Sequence, residues 1–236
     1  MVSNIELVVC DMAGTTVRDT GEVLACFMEA VRRTGLNATE HEVKAMMGRS
    51  KREVFVELVR REKGSADNAE QLTDQAYACF RQVLERHYRT QPVCPVDGTV
   101  ELFTELRRRA VRIALTTGFY RQVTDIILDR LGWLDGLDER RVNTGSSPID
   151  ASICANDVPT GRPAPYMIHE AMRRLGVVDV HAIAKVGDTE ADLRAGYHAG
   201  CGMNVGVLSG SAGRDVLQRC PHTHIVHRAR AILELI

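Results

Sequence analysis

Short apolar runs and amphipathic stretches alternate along most of this chain, but one long block contains only the amphipathic kind. The first apolar run, residues 5–10, is short and rich in branched side chains, which is typical of a strand buried in a parallel sheet. From about residue 21 to residue 87, apolar positions recur at helical spacing instead. The first helix of this block is marked by Leu24, Phe27, Met28 and Val31. The pattern predicts one strand followed by a helical insert.

Further helices are predicted within the insert. Residues 39–42 have the form of a capping box, so a helix should begin there and run to residues 47–48. Residues 51–62 and 68–90 show the same helical spacing. The end of the insert is marked by Pro92, Pro95 and Gly98.

Strands return after the insert and alternate with helices to the end of the sequence. Strands are predicted at residues 111–116, 150–154, 183–187, 203–207 and 224–226. Helices are predicted at 99–109, 120–131, 164–175 and 189–199, and a surface loop at 206–213. This alternation indicates an α/β fold, a Rossmann-like parallel-sheet core with an inserted all-helical domain. The predicted core is 1–17 and 94–236, and the predicted insert is 18–93.

Composition narrows the class of protein. Hydrophobic residues make up 44% of the 236 positions and the formal net charge is -1, so a sizeable core can form and no basic stripe suggests nucleic acid. No apolar run approaches the roughly 20 residues of a membrane span, and the first residues lack the basic start of a secretory signal. The seven cysteines are scattered without metal-binding spacing, which favours buried thiols in a reducing cytoplasm.

Residues with useful chemistry follow the predicted strand ends, which meet at one edge of a parallel sheet and gather ligands there. They are Asp11 and Thr15, then Thr117 and Gly118, then Arg162, and finally Asp188 and Asp192. Each residue alone is also explained as a helix cap, a turn residue or a solvated charge. Together, and in this order, they favour a site for a phosphorylated ligand.

Hard oxygen donors of this kind suit Mg²⁺, which also accepts a phosphate oxygen. The predicted metal ligands are Asp11, Asp188, Asp192 and the backbone carbonyl of Ala13. The predicted phosphate-binding groups are the hydroxyls of Thr15 and Thr117 and the backbone amides of Gly14 and Gly118. Arg162 would balance the negative charge of the phosphoryl group.

Taken in order, these motifs resemble the haloacid dehalogenase superfamily, and the resemblance covers nearly the whole chain. It implies a helical cap inserted after the first strand. Ala13 and Arg162 are similar to the phosphonoacetaldehyde hydrolase (phosphonatase) group, whereas most of the superfamily has Asp and Lys at these places. Residues 156–163 also resemble that group.

A lysine of the insert extends this resemblance. Residues 46–51 resemble the phosphonatase segment whose lysine forms a Schiff base, which implies that Lys51 forms an imine and that Met47 and Arg49 contact the substrate. The pKa of Lys51 would have to fall from about 10.4 through desolvation or a nearby cation such as Arg49. Substrate binding without imine formation, or a solvated charged face, also explains a lysine here.

Three positions depart from the phosphonatase pattern. Val54 stands where that group has a histidine, Gly21 where it has a cysteine, and Phe119 where it has an aromatic residue with a hydroxyl group. These differences leave the identity of the substrate open.

Ala13 and Lys51 together indicate one reaction. Asp11 would attack phosphorus, but Ala13 carries no proton for an alkoxide leaving group. A protonated imine at Lys51 would instead accept the electrons of a departing carbon, so the expected reaction cleaves the carbon–phosphorus bond of phosphonoacetaldehyde or a close analogue. Two rivals stay open: a Mg²⁺-dependent phosphomonoesterase or phosphomutase of the same superfamily, and a non-catalytic phosphate-binding protein.

The expected partner is a small phosphonate or phosphate substrate. The apolar helix at residues 24–31 would either form a homodimer or pack within the insert.

Overall fold

Six parallel strands form the centre of the molecule in a computed structural model that describes residues 5–64 and 68–236. The strands are β1 Leu7–Asp11, β2 Arg112–Thr117, β3 Ala151–Cys154, β4 Ile183–Gly187, β5 Met203–Val207 and β6 His224–Val226. They are ordered β3-β2-β1-β4-β5-β6 across the sheet. The predicted α/β class with a Rossmann-like parallel sheet is confirmed, and the last three strands have the predicted bounds.

Helices follow β1 in the described part of the insert, and one further helix lies in the predicted core before β2. They are α1 Glu22–Thr34, α2 Glu40–Lys44, α3 Lys51–Lys63, α4 Ala69–Thr90 and α5 Thr99–Arg108. The predicted capping box at the start of α2 is present, with the amide of Glu42 donating to Thr39 Oγ1 at 3.3 Å and the amide of Thr39 to Glu42 Oε2 at 2.7 Å. The prediction that this helix runs to 47–48 is wrong. Tighter turns replace it after Lys44, and Gly48, with a φ of 85°, redirects the chain.

Aromatic packing holds the insert together. The ring of Phe27 on α1 stacks on Phe80 of α4 at 4.2 Å and on Phe55 of α3 at 5.3 Å. Leu24 and Met28 are half-buried against the same apolar cluster. The apolar side of α1 is therefore used within the insert, and the homodimer stays a prediction.

The remaining helices cover both faces of the sheet. They are α6 Arg121–Arg130, α7 Tyr166–Leu175, α8 Glu190–Ala199 and the short α9 Arg214–Leu217. Successive β1 side chains point to opposite faces. Val8 and Cys10 join the cluster that includes α5 and α6, whereas Leu7 and Val9 join the cluster that includes α7 and α8. Strand β1 is buried on both faces and is the third of the six strands. Its carboxyl end therefore lies near the middle of the carboxyl edge of the sheet.

Two short segments of the predicted domains lie outside the described residues. These are residues 1–4 of the predicted core segment 1–17 and residues 65–67 of the predicted insert 18–93. The domain boundaries themselves stay predictions. Within the described ranges, no helix is both long and apolar enough to cross a bilayer.

Candidate active site

Three buried carboxylates meet at the carboxyl edge of the sheet. Asp11 ends β1, Asp188 directly follows β4, and Asp192 lies in the first turn of α8. Because β1 and β4 are adjacent parallel strands, their ends bring these residues together. Ligand oxygens from the three side chains lie within 4.8 Å of one another. The strand order thus assembles the acidic cluster that the sequence predicts.

Two buried cations face these acids. The guanidinium of Arg162 forms an ion pair with Asp11, with Nη1 2.7 Å from Oδ1, and donates a hydrogen bond through Nη1 to Asp192 Oδ1. The second cation, Lys185, lies within β4 with 0% of its surface exposed, and its Nζ is 2.7 Å from Asp192 Oδ1. The Nζ of Lys185 also contacts Thr116 Oγ1 at 3.4 Å and the carbonyl of Val186 at 3.2 Å. The cluster of three acids therefore contains two internal counter-charges.

The acids respond differently to this environment. Burial raises the pKa of Asp11, although the guanidinium of Arg162 opposes the shift. Burial, followed by the charges of Asp11 and Asp192, raises the pKa of Asp188 to about 7. Burial also opposes ionisation of Asp192, but Arg162 and Lys185 outweigh it and lower its pKa to about 2. Burial thus disfavours the ionised forms of Asp11 and Asp188, and the protein's own cations do not fully offset that cost.

The donor atoms around Asp11 fit a hard divalent cation. The carbonyl of Ala13 accepts none of the hydrogen bonds formed among the described residues, so its lone pairs are available. Asp192 has both oxygens engaged, Oδ1 by the two cations and Oδ2 by the hydroxyl of Thr189 at 2.5 Å. The set consists of oxygen atoms only and includes the carboxylates of Asp11 and Asp188, which suits Mg²⁺.

Two predicted phosphate ligands are occupied by protein groups instead. The hydroxyl of Thr15 donates to Asp188 Oδ1 at 3.1 Å, and the amide of Gly14 donates to the carbonyl of Val17 at 2.8 Å. Both donors bind protein groups in the described structure, and their binding of phosphate stays a prediction. Thr15 orients Asp188, and Gly14, with a φ of 88°, allows the chain to turn beside that carboxylate.

Other groups are better placed to receive phosphate oxygens. Thr117 is buried at the end of β2, and its Oγ1 accepts the amide of Phe119 at 3.1 Å, which leaves its proton for another acceptor. The Nε of Arg162 is buried without a hydrogen-bond partner among the described residues. An unpartnered buried donor beside Asp11 indicates a place for an anionic ligand.

Lys51, the first residue of α3, is buried in the same site. Its Nζ lies 5.0 Å from the ring centroid of Phe119 and 5.6 Å from that of Phe27. Burial, reinforced by the positive charge of Arg162, lowers the pKa of Lys51 to about 8. The interpretation of Lys51 as part of a solvated charged face is therefore wrong.

The neighbours of Lys51 differ in part from expectation. Arg49 is half-buried and lies 4.0 Å from Glu53, and the cation that acts on Lys51 is Arg162 rather than Arg49. Met47 is half-buried and lines a cleft beside the site together with Arg49. Val54 is buried within the insert. Val54, which stands where the phosphonatase pattern has a histidine, thus contributes to the packing of the insert.

The insert lies directly against the core around Lys51. The amide of Lys51 donates to the carbonyl of Gly118 at 3.3 Å. A Cβ at Gly118 would lie 2.3 Å from the carbonyl oxygen of Arg49, and one at Gly48 would lie 2.3 Å from Thr189 Oγ1. Glycine is required on both sides of this contact, so the described state is one in which the insert closes over the acids.

Sequence reasoning missed two contributors. Lys185 is one, and the only signal for it was a charged residue inside an otherwise apolar strand. The other is the segment predicted as a surface loop at 206–213. Gly206 belongs to β5, and Ser211 donates to Asp188 Oδ2 through its amide at 2.7 Å and its hydroxyl at 3.0 Å.

Comparison with known proteins gives a consistent result. Residues 5–200 match the model of a hydrolase family described as haloacid dehalogenase-like hydrolase. A phosphonoacetaldehyde hydrolase from Bacillus mycoides is 33% identical over 222 residues, covering 88% of this chain and 77% of the relative.

Solved structures share the fold at lower identity. A phosphonoacetaldehyde hydrolase-like protein from Oleispira antarctica superimposes with a TM-score of 0.81 at 21% identity, covering 99% of this chain and 92% of that one. A hydrolase from Pseudomonas syringae gives a TM-score of 0.81 at 20% identity, with coverage of 97% and 96%.

Proposed function

The chain belongs to the haloacid dehalogenase-like hydrolases, and from that membership we propose that it cleaves the carbon–phosphorus bond of phosphonoacetaldehyde or a close analogue. One observation carries the proposal. Lys51 is a buried amine with a pKa of about 8, in the same site as Asp11 and Arg162. A phosphatase has no need of an amine with a lowered pKa, whereas imine formation requires an amine that is neutral part of the time.

Asp11 is the proposed nucleophile, and Arg162 holds one of its oxygens so that the other can attack phosphorus. We assign Mg²⁺ to Asp11, Asp188 and the carbonyl of Ala13. Asp192 is then the anchor that fixes Arg162 and Lys185, because both of its oxygens are already engaged. When bound, the ion supplies positive charge that offsets the carboxylates and the phosphoryl oxygens.

Lys51 makes carbon a feasible leaving group. Its neutral amine adds to the aldehyde and expels water, and uptake of one proton from solvent gives a protonated imine. Asp11 then attacks phosphorus, the carbon–phosphorus bond breaks, and its electron pair passes into the imine to give a neutral enamine. Protonation at carbon and addition of water release acetaldehyde and the amine. A second water hydrolyses the aspartyl-phosphate and releases phosphate.

Closure of the insert has a specific part in this chemistry. The rings of Phe27 and Phe119 surround the ammonium position with apolar surface, and the contact at Gly118 holds the start of α3 on the core. Water is thereby kept from the imine until phosphorus has been transferred. Arg162 Nε and Thr117 Oγ1 are the proposed donors to the phosphoryl oxygens.

Borohydride trapping tests the proposal. The wild-type protein, incubated with phosphonoacetaldehyde, Mg²⁺ and borohydride, should acquire a covalent adduct on the peptide that contains Lys51. In Asp11→Asn the carbon–phosphorus bond should stay intact, so the trapped adduct should retain phosphorus. The exposed Lys44 provides the control, since Lys44→Arg should still be trapped whereas Lys51→Arg should not. Turnover without any adduct would exclude the imine.

A phosphomonoesterase is the second candidate, because Val54 and Phe119 remove the two polar side chains that the phosphonatase pattern places near the lysine. Phosphate release from phosphoglycolate or sugar phosphates, with none from phosphonoacetaldehyde, would establish it in place of the first.

A further inference from the structure

A cleft of about 890 Å³ opens beside the acidic cluster, between the helical insert and the core. Its walls are rich in basic side chains from both parts. On the insert side these are His41, Lys44 and Arg49, and on the core side Arg194 and Arg219. Glu190 is the only acid among the described residues that line it. The cleft therefore has a strong excess of basic groups.

Ion pairs within the protein neutralise this excess only in part. Arg194 is 2.6 Å from Glu190, and Arg219 is 3.3 Å from Asp215 in a pair that is largely exposed to solvent. Lys44 makes no ion pair with any described residue, and Arg49 approaches Glu53 only to 4.0 Å. The insert wall thus keeps positive charge that the protein does not compensate.

We infer that this cleft binds a small polyanion bearing carboxylate or phosphate groups. The insert wall carries Lys44 and the weakly paired Arg49, and the core wall carries Arg194 and Arg219, which are paired with Glu190 and Asp215. An anion between the two walls would compensate the positive charge of the insert wall and would contact both parts at once. The cleft also adjoins the reaction site through Thr189 and Ser211, which line it and hydrogen-bond to Asp192 and Asp188.

The carboxylate or phosphate groups bound in the cleft could come from two sources. One is a separate anion that favours the closed state, and the other is the far end of a substrate larger than phosphonoacetaldehyde. In both cases the cleft recognises anionic oxygens. The inference rests on charge and shape and does not depend on carbon–phosphorus cleavage.

Calorimetric titration with tricarballylate, at a fixed concentration of free Mg²⁺, tests the cleft on the full chain. Lys44→Glu and Arg219→Glu reverse one charge on each wall. Arg140→Glu makes the same change at an exposed arginine of the core that does not line the cleft. We expect saturable binding to the wild type, with a dissociation constant raised at least about tenfold in both cleft variants and unchanged in the control. The thermal midpoint of each variant checks that it is folded.

Absence of saturable binding, or equal weakening in Arg140→Glu, would overturn the inference, because the second result would reflect net charge alone. Steady-state phosphate release at several tricarballylate concentrations then separates the two sources. Competitive inhibition assigns the cleft to the far end of a substrate, whereas an effect that excess substrate does not relieve assigns it to a separate anion. The titration stands even if no substrate is turned over, so failure of the proposed function would not be mistaken for failure of the cleft.

Discussion

The pKa of Lys51 is the property on which the proposed chemistry depends most directly. Burial against Phe27 and Phe119, together with Arg162, lowers it from 10.5 to about 8. At pH 7 about one amine in ten is then neutral, compared with about one in three thousand at the ordinary value. The gain in reactive amine is on the order of 300-fold, equivalent to about 3 kcal/mol.

The pH dependence of carbon–phosphorus cleavage measures the pKa of Lys51 directly. We expect kcat/KM for phosphonoacetaldehyde to rise about tenfold per pH unit below pH 8 and to level off above it, because only the free neutral amine forms the imine. Coupled detection of acetaldehyde gives the rate, and phosphate release from the same samples confirms that both products appear together.

Substitution of Phe119 tests whether apolar burial lowers the pKa of Lys51. Phe119→Gln would place a polar amide beside Nζ and stabilise the ammonium. The rising limb of the pH profile of kcat/KM should therefore move to higher pH. Phe119→Leu keeps the surroundings apolar and removes only the attraction between ring and cation, so its limb should stay near pH 8 or fall slightly below. A wild-type limb that continues to rise to about pH 10 would refute the reasoning, since Lys51 would then titrate as an exposed lysine.

Three further results are expected. Ala13→Asp should raise phosphate release from an alkyl phosphate about 100-fold, because a general acid typically contributes at least that much; no increase would mean that protonation does not limit this reaction. Lys51→Met should unfold in urea with a free energy up to about 3 kcal/mol higher than wild type at pH 7. Between about pH 8 and 10.5 the unfolded wild type binds more protons than the folded state, so its stability should rise with pH while that of the variant does not. Gly48→Ala should raise the KM for substrate through its clash with Thr189, measured against Gly64→Ala, which also has positive φ but meets no atom within 4 Å.

The acidic cluster could be predicted because the ends of parallel strands meet at one edge, whatever the rest of the fold. Asp11 directly follows the first apolar run, and Asp188 directly follows a later one. Their convergence could be predicted without knowing that the two strands are neighbours, as β1 and β4 are. Lys185 could not be identified in the same way. Its function depends on the distance of its Nζ from Asp192, and a lysine in a strand is ordinarily assigned to an edge or to solvent.

The surroundings of Lys51 show a second limit. Arg49 is near it in sequence, whereas Arg162, from the loop before α7, is the cation that affects its pKa. Thr15 and Gly14 show a third limit, because residue types that bind phosphate also satisfy the protein's own carboxylates and carbonyls. Sequence identifies such donors, but only the packed structure decides between partners.

Charge explains why an alanine at position 13 and a buried lysine at position 51 belong together. Burial and the charges of Asp11 and Asp192 already raise the pKa of Asp188 to about 7, so the site disfavours ionisation of the acids that it contains. Another carboxylate beside Asp11 would add to that repulsion and could remain only as the protonated acid. In the reaction that we propose, Lys51 would stabilise the leaving group without adding negative charge, since an amine is either cationic or neutral. The site can therefore keep Arg162 and Lys185 for Asp11 and Asp192, and leave Arg162 Nε for the ligand.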